Sequence, residues 1–197
     1  MPRIHIKDIL TNRPNHESRF IPDYKELKDV VKSLKKMGYR IVLTMGVYDL
    51  IHEGHALYLE AARNAGDILI VGADTDSMTK ARKGPNRPIV PESERVKMLV
   101  HLRSVDIVTL RREPLEKNEL VKLVSPDVLI VSETTSDFAK KRLNDCKNYV
   151  GEIITLPAQA TTSTTARIRN LTIEGAEELA NEVSKLTKNF LDKIKAA

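Results

Sequence analysis

Residues Arg40 to Ile70 read RIVLTMGVYDLIHEGHALYLEAARNAGDILI. Ile41 to Met45 is a short apolar run, rich in β-branched residues and halted at Gly46, the pattern of a strand buried on both faces of a parallel sheet. A loop follows. From His55 the period becomes helical, with Leu57, Tyr58, Ala61 and Ala62 on one apolar face and Gly66 closing it, and Ile68 to Val71 begins another strand. Strand, helix and strand in this order make a right-handed βαβ unit, and that unit decides the fold. His52 and His55 stand three apart where the first strand hands over to the helix.

The handover is a place for chemistry. A helix N-terminus carries unpaired N–H groups and the positive end of the macrodipole, and both attract phosphate. Side chains at i and i+3 share a face, so the two imidazoles can address one anion. Gly54 between them, and Gly46 at the strand tip, have no Cβ and let a phosphate chain approach the backbone. This reads as a polyphosphate site. A plainer reading also fits, in which one histidine caps the helix and the other is a surface residue.

Upstream, Asp23 after Pro22 caps a helix with Leu27, Val30, Val31 and Leu34 on its apolar face and Gly38 at its end. Residues 1–22, with Pro2, Pro14 and Pro22, read as an extended N-terminal arm. Downstream, Lys80 to Pro88 (KARKGPNRP) is basic and too interrupted for a helix, so it reads as a loop. It is either a solvated surface loop or a cationic lid over a triphosphate. Pro91-Glu92-Ser93-Glu94 opens a helix whose buried stripe is Val96, Met98, Leu99 and Leu102.

Strands at Ile107 to Leu110, Val128 to Val131 and Glu152 to Leu156 alternate with helices around Leu115 to Val124 and from Thr135 to Lys147. The pattern predicts an α/β fold, a mostly parallel five-stranded sheet with helices on both faces and ligands beyond the carboxyl ends of the strands. Thr161 to Thr165 is a run of hydroxyls before a helix, an N-cap or a second phosphate site. Leu179, Val183, Leu186, Phe190 and Ile194 recur at helical spacing near the C-terminus, on a helix that packs on the domain or on a second subunit. The expected division is an arm at 1–22, one domain at 23–172 and a C-terminal helix at 173–197.

The 197 residues suffice for one well-cored domain, and 41% hydrophobic with 30% charged residues is ordinary for a globular protein. Trp is absent and aromatic content is 4%, which argues against a base-stacking platform for single-stranded nucleic acid. The net charge of +5 suits an anionic partner, although lysines scattered on helix faces account for it equally well. Cys146 is the single cysteine and has no intramolecular partner, which suits a reducing, cytoplasmic setting. MPRIHIKDIL lacks the apolar core of a signal peptide, and no apolar run approaches the roughly 20 residues that span a bilayer.

Gly46-Val47-Tyr48-Asp49 followed by His52-Glu53-Gly54-His55 resembles the GxFD…HxGH signature of the cytidylyltransferase-like nucleotidyltransferases. KGPNRPIVP, ESERVKML leading to SVDIV, and STTARI resemble further segments of that family in the same order, over about Lys32 to Leu171. The chain is most similar to two branches, the ADP-heptose synthase nucleotidyltransferase domain and glycerol-3-phosphate cytidylyltransferase.

The resemblance implies a Rossmann-like three-layer fold. It also implies transfer of a nucleoside monophosphate to a small phosphorylated acceptor, a sugar or polyol phosphate, with Mg2+ on the phosphates and pyrophosphate released. By position it implies His52, His55 and Lys83 as catalytic residues. Met45, Gly46, Val47, Tyr48, Gly54, Arg95, Ser163, Thr164 and Thr165 would bind the nucleotide, and Asp49, Lys80 and Arg87 the acceptor. A homodimer is expected, and neither nucleic acid nor membrane is an expected partner. The chain departs from the pattern at Met45, Val47 and Tyr48, and PAQATTSTT lacks the arginine and glycine of the RTEGxSTT segment of the cytidylyltransferases, which favours ATP over CTP. A rival reading, a non-catalytic nucleotide-binding protein on the same fold, predicts ATP binding without pyrophosphate release.

Overall fold

The computed structural model describes residues 6–11, 16–112, 118–133, 145–159 and 164–195. The chain forms two compact units, Met1–Thr161 and Thr162–Ala197. In the first unit the order is α1 (Ile6–Leu10), α2 (His16–Arg19), α3 (Tyr24–Lys36), β1 (Ile41–Gly46), α4 (Glu53–Arg63), β2 (Ile68–Asp74), α5 (Asp76–Lys83), α6 (Glu92–His101), β3 (Ile107–Arg111), α7 (Glu119–Val124), β4 (Val128–Ser132), a 3-10 turn (Lys147–Tyr149) and β5 (Glu152–Leu156). The second unit holds α8 (Thr164–Lys195).

The five strands lie in the order β3-β2-β1-β4-β5, and every pairing is parallel. All of β2 is buried, as are Ile41, Val42, Leu43 and Thr44 of β1. Successive residues of these strands serve opposite layers, because strand side chains alternate across the sheet. Ile41, Leu43, Ile68 and Ile70 pack with Leu27, Val31 and Leu34 of α3 and Leu120, Val121 and Val124 of α7. Val42, Leu69 and Val71 pack with Leu59 and Ala62 of α4 and Val96, Leu99 and Val100 of α6. The three-layer α/β architecture follows. The strand order runs outward from β1 through β2 to β3, then restarts on its other side with β4, so the crevice at the β1 and β4 carboxyl ends is the switch point.

Several elements differ from the sequence reading. The arm at 1–22 is not extended where it is described: α1 and α2 are helical, and Ile9, Arg19 and Ile21 are buried. Phe20 forms a parallel bridge to Val108, and the Ile21 N–H donates to the Val108 carbonyl at 2.9 Å, so this segment covers the outer edge of β3. Helices of five and four residues are too short to display a 3.6-residue period.

The basic stretch is also partly helical, since α5 runs through Lys83 and only Gly84 breaks it, at φ 95°. α4 starts at Glu53 with His52 as its N-cap, which turns Leu57 outward at 39% exposure while Leu59 and Ala62 are buried. Met98 is 54% exposed, because α6 buries the face of Arg95, Val96, Leu99 and Val100. The expected helix from Thr135 lies outside the described residues apart from its end, where Lys147 sits in the 3-10 turn.

α8 is one uninterrupted helix of 32 residues, continuous across 172 and 173, and among the described residues of its own unit Leu179, Val183 and Leu186 are exposed. Among the described residues no helix is long and apolar enough to cross a membrane.

The N-terminal segment gives a direct test. Ile21 is fully buried, so Ile21→Ala should cost about 2–5 kcal/mol in denaturant unfolding, as other core isoleucine truncations do. A solvated arm would lose no more than about 0.5 kcal/mol.

Candidate active site

β1 ends at Gly46 and the chain turns through two left-handed residues, Tyr48 (φ 54°) and Leu50 (φ 45°). Side chains disfavour this region by about 1–3 kcal/mol each, so the surroundings must hold the turn in place. The Tyr48 ring folds back over the strand tip, and a Cβ at Gly46 would lie 3.2 Å from its Cε2 atom. Gly46 therefore makes room for the tyrosine ring on the side where a Cβ would stand. Gly54 lies in the first turn of α4.

The two histidines form a reciprocal capping box. His52 Nδ1 accepts from the Gly54 N–H at 3.1 Å, and His55 Nδ1 accepts from the His52 N–H at 3.4 Å. Their rings lie 4.1 Å apart between centroids. Both rings cap the helix: each Nδ1 is occupied as an acceptor, which puts the proton of a neutral ring on Nε2.

The His55 N–H and the Ala56 N–H both donate to the His52 carbonyl. With the Gly54 N–H also taken, the Gly54, His55 and Ala56 amides at the start of α4 are all occupied by protein acceptors. Burial, then the neighbouring His52 and the Lys83 ammonium, lower the His55 pKa to about 4, so this ring is neutral at pH 7.

The basic segment is tied to the turn after β1. Asp49 is 5% exposed and accepts from Arg87 Nη1 at 2.9 Å, from the Ile89 N–H at 3.0 Å and from the Val90 N–H at 3.0 Å. Burial alone would raise its pKa, but the Val90 and Ile89 N–H groups and the Arg87 guanidinium outweigh it and hold the carboxylate below the usual range. Asp49 and Arg87, read from sequence as acceptor-binding, are engaged in anchoring this loop.

Arg95 is 1% exposed and equally committed. Its Nε donates to the Val90 carbonyl at 2.9 Å, Nη1 to the Val47 carbonyl, and Nη2 to the Asp74 carbonyl at 2.8 Å and Asp76 Oδ1 at 2.7 Å. Lys83 differs, because among the described residues its ammonium makes no hydrogen bond or ion pair. Partial burial, then Arg82 and Arg87, lower its pKa. Lys80 is exposed one turn earlier on α5.

Two residues missed in the sequence, Asp74 and Arg111, lie beside this set and join Arg82 of the basic stretch. Asp74, 0% exposed, receives Arg111 in two contacts, Nε at 2.6 Å and Nη2 at 2.8 Å, and Arg82 Nη1 at 2.7 Å. Met45 Sδ lies 3.9 Å from Arg111 Nη1. The signal was available: β2 reaches Asp74 and β3 reaches Arg111, whereas the apolar runs stop at Val71 and Leu110 and leave both charges in loops. Ser163 lies outside the described residues. Thr164 and Thr165 begin α8, and their side chains are also outside the description. Among the described residues no group of three His, Cys, Asp or Glu side chains is placed to hold a metal ion.

A parallel sheet with a histidine-capped helix beyond its central strand, bordered by Lys83, Arg82 and Arg111, is a nucleotide-binding α/β architecture of the Rossmann-like kind. The chain belongs to the cytidylyltransferase-like family, whose model matches residues 43–170, and it is a nucleotidyltransferase. It is 37% identical over 153 residues to the bifunctional protein HldE of a Nitratiruptor species, which covers 77% of this chain and 32% of the relative. It is 38% identical over 144 residues to the HldE protein of Methylobacillus flagellatus, covering 72% and 29%. The chain thus spans about a third of the length of the curated relatives it matches.

The crystal structure of the lipopolysaccharide core biosynthesis protein from Thermoplasma volcanium superposes with a TM-score of 0.53 at 28% identity, covering 60% of this chain and 97% of that one. The pantoate-beta-alanine ligase of Francisella tularensis shares the fold, with a TM-score of 0.55 at 16% identity over 77% of this chain and 72% of that one.

The His55 environment predicts a pH effect on stability. Its folded pKa of about 4 lies below the ordinary 6.5, so the unfolded chain takes up a proton that the folded chain refuses. This contribution is complete above pH 6.5 and is lost as the pH falls towards 4. Thermal melts between pH 7.5 and 4.5 should show a smaller acid-induced drop in Tm for His55→Asn than for the wild type.

Proposed function

We propose that the protein transfers AMP from ATP to the phosphate of a sugar or polyol phosphate, releasing pyrophosphate. The observation that carries this reading is the capping box: two adjacent imidazoles at a helix N-terminus, each accepting a backbone N–H on Nδ1, beside the β1 and β4 switch point. An oxygen of the acceptor phosphate attacks the α-phosphorus in line. The bond from that phosphorus to the α,β-bridging oxygen breaks, and the electron pair leaves with pyrophosphate.

His52 and His55 donate Nε2–H to the phosphoryl oxygens as charge builds on them, and the Lys83 ammonium neutralises the polyphosphate. No protein nucleophile is needed. Mg2+, brought with the nucleotide, would supply charge neutralisation on the phosphates. The preference for ATP rests on the PAQATTSTT segment and on the resemblance to the ADP-heptose branch; CTP remains the alternative nucleotide. Ser163, Thr164 and Thr165 belong to the same reading as nucleotide contacts, and Lys80 as an acceptor contact, in the cytoplasm.

Pyrophosphate release with ATP, CTP, GTP or UTP, each with Mg2+, across sugar phosphates and polyol phosphates is the test. ATP with one acceptor class should give turnover, and His55→Ala should lower it on the order of 100-fold, the magnitude of one preorganised donor. Saturable ATP binding without release would favour the non-catalytic reading, and turnover of His55→Ala near wild type would remove the imidazole from the mechanism.

The division into a catalytic domain at 23–172 and a C-terminal helix is part of the proposal, as is a homodimer formed through α8. Its support is the Leu179, Val183 and Leu186 stripe, exposed among the described residues of its own unit. Sedimentation velocity should give the dimer for the whole chain and the monomer for a variant with all three residues changed to Ser.

A further inference from the structure

The mechanism above makes no use of the cluster at the ends of β2 and β3. Asp74 and Arg111 face each other in the β2–β3 register. The Asp74 carboxylate serves two guanidinium groups, with Arg111 on both oxygens and Arg82 on Oδ2. One negative charge against two positive leaves the trio at +1. Arg111 Nη1 meets the thioether of Met45 at 3.9 Å and, among the described residues, no oxygen. Sulfur is a weak acceptor. A guanidinium held rigidly by one edge, with a donor on the other edge lacking a strong acceptor, is built to receive an anion. Its planar fork suits a carboxylate or a phosphate.

The position of the trio says which molecule brings that anion. The nucleotide belongs to the crevice between β1 and β4. The backbone of Arg111 stands on the opposite side of β1, two strands away and about 10 Å at ordinary strand spacing, and its guanidinium reaches back to Met45 at the end of β1, on the side away from β4. The reacting phosphate of the acceptor must sit at His52, His55 and Lys83, so Arg111 addresses the acceptor's far end. We infer that the acceptor carries a second anionic group, a carboxylate or a further phosphate, remote from its reacting phosphate, and that Arg111, positioned by Asp74 with Arg82, selects it. This inference rests on the nucleotidyl-transfer reading.

Matched acceptors that differ at the far end test it, with the whole chain, ATP and Mg2+, and pyrophosphate release as readout. Suitable sets are glycerol 3-phosphate against 3-phosphoglycerate, and glucose 1-phosphate against glucuronate 1-phosphate and glucose 1,6-bisphosphate. The anionic member of a set should be used with kcat/KM roughly 10-fold or more above its neutral partner, the scale of one charge-assisted hydrogen bond. Arg111→Met should raise the KM for that acceptor roughly 10- to 100-fold with the KM for ATP unchanged, and Arg111→Lys should recover part of the loss. Asp74→Asn should shift the acceptor KM in the same direction, with circular dichroism confirming the fold.

If Arg111→Met does not fold, the wild-type acceptor sets decide alone. Equal or better use of the neutral members overturns the inference and leaves the transferase reading standing. A rise in the KM for ATP in place of the acceptor also overturns it and assigns the trio to the triphosphate. No release with any acceptor overturns both.

Discussion

Arg95 carries a permanent charge to 1% exposure, and the structure around the site depends on how that charge is met. Its four hydrogen bonds end on the turn after β1, the end of β2, the start of α5 and the loop before α6. An apolar residue could fill the volume, but it could not satisfy the carbonyls of Val47, Asp74 and Val90, which an interior position makes costly to leave unpaired. Directional bonds of this kind fix where each segment stops. The site is laced by polar contacts at its rim while the layers beneath it are held by apolar packing.

Within that rim both histidines take the capping role that the sequence offered to one of them. Capping occupies Nδ1 of both rings and thereby sets the tautomer that turns Nε2 into a donor. Burial then keeps His55 neutral. A neutral imidazole of this tautomer offers an N–H donor whose proton stays in place at ordinary pH.

The sheet was legible because burial on both faces imposes an unmistakable composition: IVLTM, ILIV, IVTL, VLIV and EIITL all proved to be strands. What the sequence hid were the places where charge is buried with its partner. Asp74 and Arg111 extend their strands as a bonded pair, yet each alone looks like a polar stop. Pro2, Pro14 and Pro22 make the N-terminal segment read as an extended arm, whereas Arg19 within it is buried and donates to the Asp106 carbonyl beside β3. Asp49 and Arg95 matched the family pattern by position, but position could not tell that their contacts run to Ile89, Val90 and Val47. Gly46 also makes room for the Tyr48 ring, and a tyrosine two residues later gives no hint in sequence that it turns back.

The tie between Asp49 and the loop at Ile89 and Val90 has a further consequence. Tyr48 and Leu50 hold a conformation that neither would keep alone, and the carboxylate between them is satisfied by the same loop that hangs from it. Releasing the loop would strand a buried charge, and relaxing the turn would pull that charge from its donors. Neither can move by small steps independently of the other. The two segments therefore behave as a single latch with a threshold, so thermal agitation below that threshold leaves the spacing between the histidines and the basic segment intact.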